Sequence, residues 1–241
     1  MNPKQEPAAK AKRNAALEAV KHVKDGFVIG LGSGSTAAFA IEEIGREVKE
    51  EKIHVLVVPT SYQAFMLAVK HGIPVTTLDE YPRLDLAIDG ADQVDKKLDL
   101  IKGMGGALAR EKIVASASKR LIIIADESKK VQTLGEKGQP VPVEVLPFAA
   151  SLATRSIVEL GGKPILREGA KKVGAVVTDN GNFILDVEFG LIRKSAELEW
   201  KLKGLTGVVE TGLFIDMADT VYIGAPSGVE AFSKKAVGQK L

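Results

Sequence analysis

The sequence at residues 27–36, Phe27-Val28-Ile29-Gly30-Leu31-Gly32-Ser33-Gly34-Ser35-Thr36, joins an apolar run to a loop of glycines and hydroxyl residues. The apolar run predicts a buried strand, and the periodicity of residues 37–49 predicts a helix after the loop. Further predicted strands, each linked to a helix, lie at residues 55–58, 84–88 and 121–125. This alternation predicts a parallel sheet with helices on both faces, and ligands at the carboxyl ends of its strands.

The pattern changes after residue 135. We predict strands at residues 143–146, 163–166, 173–178, 183–187 and 208–209, helices at 148–160 and 195–203, and a hairpin turn at Asn180-Gly181. That order resembles a ferredoxin-like α+β unit. The apolar run at 220–223, followed by a short helix, is predicted to rejoin the first sheet. The predicted fold is therefore α/β: a Rossmann-like three-layer parallel-sheet domain (residues 1–135 and 214–241) with an inserted ferredoxin-like α+β domain (residues 136–213).

Composition narrows the choice of partners. The 241 residues include 33 basic and 31 acidic side chains and no cysteine. Because the formal net charge is only +2, we expect no nucleic-acid partner. The lack of cysteine removes disulfides, thiol nucleophiles and thiolate metal sites. No apolar run approaches the ~18 residues that a membrane span needs, and no apolar signal segment is visible, so we expect no membrane partner and a cytoplasmic location.

The loop from Gly32 to Thr36 lies between a predicted strand and the start of a helix. A loop with so few bulky side chains lets backbone N–H groups, hydroxyls and the helix dipole approach an anion. It lacks the lysine of a Walker loop, and its glycines do not have the spacing of the dinucleotide fingerprint. Two interpretations stay open: a monophosphate-binding loop, or a tight turn with Thr36 as a helix cap.

Two further loops carry candidate catalytic groups. Asp89-Gly90-Ala91-Asp92 follows a predicted strand, and its two acids fit either catalysis or an Asx-turn with a helix cap. The second loop begins at Lys102 and opens a helix that carries Glu111. Removing a proton beside a carbonyl requires a base and a positive group where the oxyanion develops, and Glu111 and Lys102 supply that pair.

A metal site is the alternative use of the acids in this region. It would draw on the aspartates at positions 89, 92, 95 and 99. These residues lack the glycine and glutamate positions of an EF-hand, and no histidine accompanies them. We therefore expect no metal.

Several segments, in their order along the chain, resemble the ribose-5-phosphate isomerase A family. They are Gly32–Thr36, Asp89–Asp92, Lys102–Gly105 with Arg110–Lys112, Ala125–Lys129, Pro142–Val145 and Val177–Asn182. The resemblance spans nearly the whole chain. It implies interconversion of D-ribose 5-phosphate and D-ribulose 5-phosphate through an enediolate, with no metal and no cofactor, by a homodimer or homotetramer.

The resemblance also implies roles for single residues. Glu111 matches the base that moves the proton, and Asp89, Asp92 and Lys102 match the group for ring opening and for stabilising the oxyanion. The implied substrate-binding residues are Ser33, Gly34, Ser35, Thr36, Asp89, Gly90, Ala91, Asp92, Lys102, Gly103, Met104, Gly105, Lys129 and Lys12. Gln93 departs from the family pattern, which usually has an acid there, and Met104 and Gly106 vary the glycine run.

Two other classes of protein stay open as alternatives. One is a non-catalytic sugar-phosphate sensor of similar fold, which would have little use for Glu111 together with two aspartates. The other is a coenzyme A transferase or sugar-phosphate deaminase of related architecture. The transferase would need a glutamate placed to form a thioester, and we find no companion motif for it.

Overall fold

The computed structural model describes residues 5–234. In chain order the elements are α1 (Gln5–Val20), β1 (Val28–Leu31), α2 (Gly34–Lys49), β2 (Leu56–Pro59), α3 (Tyr62–Lys70), β3 (Leu86–Gly90), β4 (Gln93–Val94), β5 (Leu100–Ile101), α4 (Leu108–Ala117), β6 (Leu121–Asp126), β7 (Val141–Val145), α5 (Ala150–Glu159), β8 (Lys163–Leu166), β9 (Phe183–Glu188), α6 (Ser195–Lys203), β10 (Val208–Thr211), β11 (Leu213–Phe214), β12 (Thr220–Ala225) and β13 (Gly228–Ser233). No helix in this range is long and apolar enough to cross a membrane.

The larger sheet has six strands in the order β13-β12-β6-β3-β1-β2. Its strands are parallel except β13, which pairs antiparallel with β12. Every residue of β6 is buried, as expected for a strand covered on both faces. Side chains of α1, α2 and α3 pack on one face, and α4 packs on the other. The predicted Rossmann-like parallel sheet is confirmed, and the run at 220–223 does rejoin it.

The smaller sheet has the order β10-β7-β9-β8, and its neighbouring strands are antiparallel. With α5 and α6 it gives the order strand, helix, strand, strand, helix, strand, which is that of a ferredoxin-like unit. Its core joins residues of both helices, such as Ile157 and Leu202, to strand residues such as Val143 and Leu185. All four strands lie within the predicted inserted segment, whose domain boundaries stay a prediction.

Three local predictions were wrong or incomplete. Residues 173–178 form no strand, and β8 pairs directly with β9. Val173 is 99% exposed, and within the segment only Ala175 forms a β-bridge, to Glu168, so it has no continuous strand pairing. The predicted helix after residue 223 is instead β13, reached by the turn at Pro226-Ser227. The small sheet β11-β5-β4 was not predicted, because strands of two residues have no readable periodicity.

Parallel pairing brings three loops to one edge of the larger sheet. Leu31, at the end of β1, pairs with Pro59 of β2 and with Ile88 of β3. The loops that follow these strands therefore lie side by side. They meet so closely that a Cβ on Gly32 would lie 2.0 Å from Asp89 Oδ1. Only glycine fits at this position without a shift of the buried strand.

Candidate active site

The Lys102 ammonium lies between two buried carboxylates. Its Nζ atom is 3.0 Å from Asp89 Oδ2 and 3.1 Å from Glu111 Oε2. It also donates a hydrogen bond to the Gly90 carbonyl at 2.5 Å. All three charged side chains are at most 5% exposed. One cation thus contacts two carboxylates that are largely shielded from water. Such burial and such close charges strongly shift pKa values.

Local backbone geometry fixes each member of this cluster. Asp89 Oδ1 accepts hydrogen bonds from the backbone N–H groups of Ser33 and Gly90, at 3.1 and 2.7 Å. Lys102 follows β5, and its own N–H donates to the Gly212 carbonyl at 2.8 Å. Glu111 stands in the first turn of α4. The next residue after Lys102 is Gly103, with a φ of +99° that strongly favours glycine.

Burial, followed by the charge of Asp89, raises the pKa of Glu111 to about 8, although Lys102 opposes the shift. Burial likewise raises the pKa of Asp89. For Lys102, burial lowers the pKa but the two carboxylates more than offset it, so its pKa is raised. Lys102 therefore keeps its charge at neutral pH, while Glu111 exchanges a proton near pH 8. A group with such a pKa serves both as acid and as base.

Glu111 also retains capacity to accept a proton. Its Oε2 atom contacts Lys102 without the geometry of a hydrogen bond, and no other donor within residues 5–234 reaches that oxygen. Unpaired buried carboxylate oxygens are uncommon in folded proteins. This one belongs to a side chain that lines a cavity beside Lys102, so a bound molecule can supply the missing partner.

The cavity has a volume of about 290 Å³. Most of the residues predicted to bind substrate line it: Lys12, Ser33, Gly34, Ser35, Thr36, Gly90, Ala91, Asp92, Lys102, Gly103, Gly105 and Lys129. Asp89 and Met104 do not. Asp89 is buried and contacts the Lys102 ammonium. The Met104 side chain is exposed, and the backbone N–H of Met104 donates to the cavity residue Asp92, at Oδ2, over 3.0 Å.

One end of the cavity is suited to an anion. The helix α2 begins at Gly34, and Lys12 Nζ donates to the Ser35 hydroxyl at 3.0 Å. The Ser33 hydroxyl bonds to those of Thr60 and Ser61, at 2.8 and 2.6 Å. Gln63 Oε1 accepts from the Gly34 N–H at 2.8 Å, so this glutamine also lies at the start of the helix. A helix start, an ammonium and hydroxyls together form the usual setting for a phosphate group.

The second sheet contributes to the same cavity. Arg167, paired with Asp186, donates through Nη1 to the carbonyls of Gly103 and Met104 at 3.1 and 3.0 Å. These contacts hold the glycine loop that follows Lys102. The segment Val176–Asp179 also lines the cavity.

Sequence reasoning missed several lining residues. Ser61 and Gln63 follow β2, so the rule that ligands bind at the carboxyl ends of parallel strands was signal enough to find them. Val176–Asp179 carry no such signal, because that segment lies in the connection between β8 and β9 of the smaller sheet.

The aspartates of the metal alternative are engaged in other contacts. Asp99 accepts from the Ser195 hydroxyl and from the Asp216 N–H, and Asp95 accepts from the N–H groups of Lys97 and Asp99. Across residues 5–234, no group of three or more His, Asp or Glu side chains is arranged to hold a metal ion.

Comparison with known proteins decides the family. The sequence model of ribose 5-phosphate isomerase A (phosphoriboisomerase A) matches residues 56–228. The chain belongs to this family. A family member from Methanosarcina acetivorans, ribose-5-phosphate isomerase A, is 51% identical over 217 residues, which cover 90% of this chain and 91% of the relative.

Solved structures of the family agree. Ribose 5-phosphate isomerase A from Methanocaldococcus jannaschii superposes with a TM-score of 0.89 at 48% identity, covering 93% of this chain and 98% of that one. A second D-ribose-5-phosphate isomerase, solved in complex with phospho-erythronic acid, has a TM-score of 0.90 at 42% identity, covering 97% and 100%. The chain therefore has the fold of ribose 5-phosphate isomerase A proteins.

Proposed function

We propose that the protein interconverts D-ribose 5-phosphate and D-ribulose 5-phosphate through an enediolate, using its own side chains without a metal or cofactor. The observation that carries this proposal is the Lys102 ammonium held between Asp89 and Glu111 at a cavity with an anion-binding end. A base with a pKa near neutrality and a fixed cation are what proton transfer beside a carbonyl requires.

In the proposed mechanism the phosphate binds at Gly34–Thr36 and Lys12. The ionised Glu111 takes the proton from C2 of the open-chain aldose, and the C–H electrons form the C1–C2 double bond while negative charge collects on O1. Lys102 stabilises that charge. After the O2 proton has passed to O1, Glu111 returns its proton to C1 and the ketone forms at C2.

The two aspartates have different places in this proposal. Asp92 lines the cavity, where it reaches substrate and assists ring opening. Asp89 acts on Lys102 from beneath, because it contacts the ammonium and not the cavity. The solved relative with phospho-erythronic acid supports the proposed reaction, not the division of roles between the two aspartates. That ligand is a four-carbon sugar acid phosphate, and its carboxylate has the planar two-oxygen shape of an enediolate.

We further propose that the protein works as a homo-oligomer, a dimer or a tetramer. The support is an apolar face on α3, formed by Tyr62, Phe65, Met66 and Val69, whose exposures range from 39% to 65%. Such a patch is typical of a protein–protein contact. A cytoplasmic location and the lack of a nucleic-acid partner stay predictions from composition.

Incubation with ribose 5-phosphate tests the function. We expect ribulose 5-phosphate to form, and no exchange of coenzyme A when the protein is given an acyl-CoA and an acceptor acid. Unphosphorylated ribose should be a much poorer substrate, because it leaves the anion-binding end empty. Tight binding of ribose 5-phosphate without conversion would indicate a sensor, and acyl exchange would indicate a transferase.

The pH profile tests the role of Glu111. Because its raised pKa of about 8 keeps the base protonated at lower pH, kcat/KM should rise about tenfold per pH unit below that value and level off above it. The profile is measured with ribose 5-phosphate under kcat/KM conditions. A plateau that already begins near pH 5 would contradict the assignment, since it would mean an unperturbed carboxylate.

A further inference from the structure

Glu144 is a buried acid for which the proposed mechanism has no use. It lies on β7 with no exposed surface. Its Oε1 atom accepts three hydrogen bonds, from Thr178 Oγ1 at 2.9 Å, Asn180 Nδ2 at 3.0 Å and Asn182 Nδ2 at 2.8 Å. Its Oε2 atom has no donor among residues 5–234. Burying a carboxylate is costly, and these three bonds compensate for the lost hydration on one oxygen.

All three donors belong to the segment that forms a wall of the cavity. Val176–Asp179 line that wall. The preceding residues of the same connection contact Arg167 and Glu168 through their backbone, although the Val173 side chain is almost fully exposed. The Thr178 hydroxyl also accepts from the N–H groups of Asn180 and Asn182, both at 3.2 Å. Glu144 is thus the buried anchor of a short turn that begins at the cavity.

The same turn reaches the catalytic helix. Arg110, the residue before Glu111, donates to Asn180 Oδ1 and to the Asp179 carbonyl, both at 2.7 Å. Asp179 Oδ2 accepts from the Tyr62 N–H at the start of α3, at 2.8 Å. The turn therefore joins the smaller sheet to the start of α4, where Glu111 stands, and to the start of α3, beside Ser61.

We infer that Glu144 is a positioning residue for the isomerase: it fixes the segment 176–182 as a rigid cavity wall that sets the length of the sugar phosphate the site accepts. The inference rests on the proposed function. Because a carboxylate on a sheet strand holds this wall, the wall moves little. A five-carbon chain bound between the wall and the anion-binding end therefore places its reacting carbons at Glu111. A longer chain does not.

The test compares Glu144→Ala with Glu144→Gln. The alanine removes all three hydrogen bonds, whereas the glutamine keeps its carbonyl oxygen at the Oε1 position and places its amide where no donor points. We expect Glu144→Ala to raise KM for ribose 5-phosphate and the Kd of phospho-erythronic acid by about tenfold, with a smaller change in kcat. The preference for ribose 5-phosphate over a six-carbon aldose phosphate, as a ratio of kcat/KM values, should fall, and Glu144→Gln should restore it.

The control variant is Glu80→Ala, which removes a glutamate–threonine hydrogen bond to Thr76 away from the cavity. It should change none of these quantities. If Glu144→Ala does not fold, Asn182→Ala, which removes one donor to Glu144 from a residue that does not line the cavity, decides by the same readouts. A lower Tm with unchanged KM, Kd and substrate preference would overturn the inference. A wild-type protein that does not isomerise ribose 5-phosphate would overturn the proposed function instead.

Discussion

Replacing Glu111 with glutamine should lower kcat for ribose 5-phosphate by at least roughly 10²–10⁴-fold, the range for loss of a general acid–base group. An amide has the shape of the carboxyl group but cannot take the C2 proton. Binding of phospho-erythronic acid should persist, because its phosphate and carboxylate meet the anion-binding end and Lys102. Steady-state kinetics and a calorimetric Kd measure the two effects.

The same variant should not lose stability at pH 8. The pKa of Glu111 is raised from its ordinary 4.5 to about 8, so the folded state favours the protonated form. As pH rises from 4.5 to 8, the unfolded chain releases this proton first, and the native protein is progressively destabilised. Glutamine removes that penalty. The control is Glu42→Gln, which replaces an exposed glutamate on α2. Turnover by Glu111→Gln within tenfold of the wild-type rate would refute the role of Glu111 as the base.

Replacing Lys102 with methionine should damage both activity and stability. Loss of the group that stabilises the oxyanion should cost roughly 10²–10³-fold in kcat. Asp89 and Glu111 would also lose their shared cation while buried, which should lower the free energy of unfolding by about 3–5 kcal/mol. Since both acids can take a proton instead, the loss of stability should be smaller at pH 5 than at pH 8. Urea unfolding at both pH values measures it.

Lys119→Met is the matched control, because the Lys119 side chain is 67% exposed beside Asp85. Replacing it should lower the free energy of unfolding by less than about 1 kcal/mol and leave kcat unchanged. The double variant Lys102→Met with Glu111→Gln should regain stability without regaining activity. An equal loss of stability at the two pH values would show that charge pairing between Lys102 and the two acids does not stabilise the protein.

The larger sheet could be predicted because its strands are continuous apolar runs between helices. The Gly32–Thr36 and Asp89–Asp92 loops then followed from the rule that ligands bind at the carboxyl ends of strands. The pairing of Lys102 with Glu111 was predicted from chemistry and from the family resemblance. The structure adds that one ammonium contacts both Glu111 and Asp89.

Other features depend on distances between segments far apart in sequence. A helix start and Lys102 should lower the pKa of Glu111 while burial raises it, and only the structure shows that burial prevails. The wall at Val176–Asp179 was unforeseen because its anchor, Glu144, is 34 residues away from Thr178. The apolar residues of 173–178 resembled a strand, but the segment forms only a single β-bridge, between Ala175 and Glu168.

Isomerisation in D₂O, followed by NMR until equilibrium with a chelator present, tests proton transfer by Glu111 most directly. Because the base lines an open cavity, the proton that it carries should exchange with solvent during the lifetime of the enediolate, before it is returned to carbon. We predict deuterium at C1 of ribulose 5-phosphate and at C2 of ribose 5-phosphate, and none with Glu111→Gln. Full conversion by the wild-type protein with no solvent deuterium at either carbon would indicate direct hydrogen transfer between them and would contradict the enediolate mechanism.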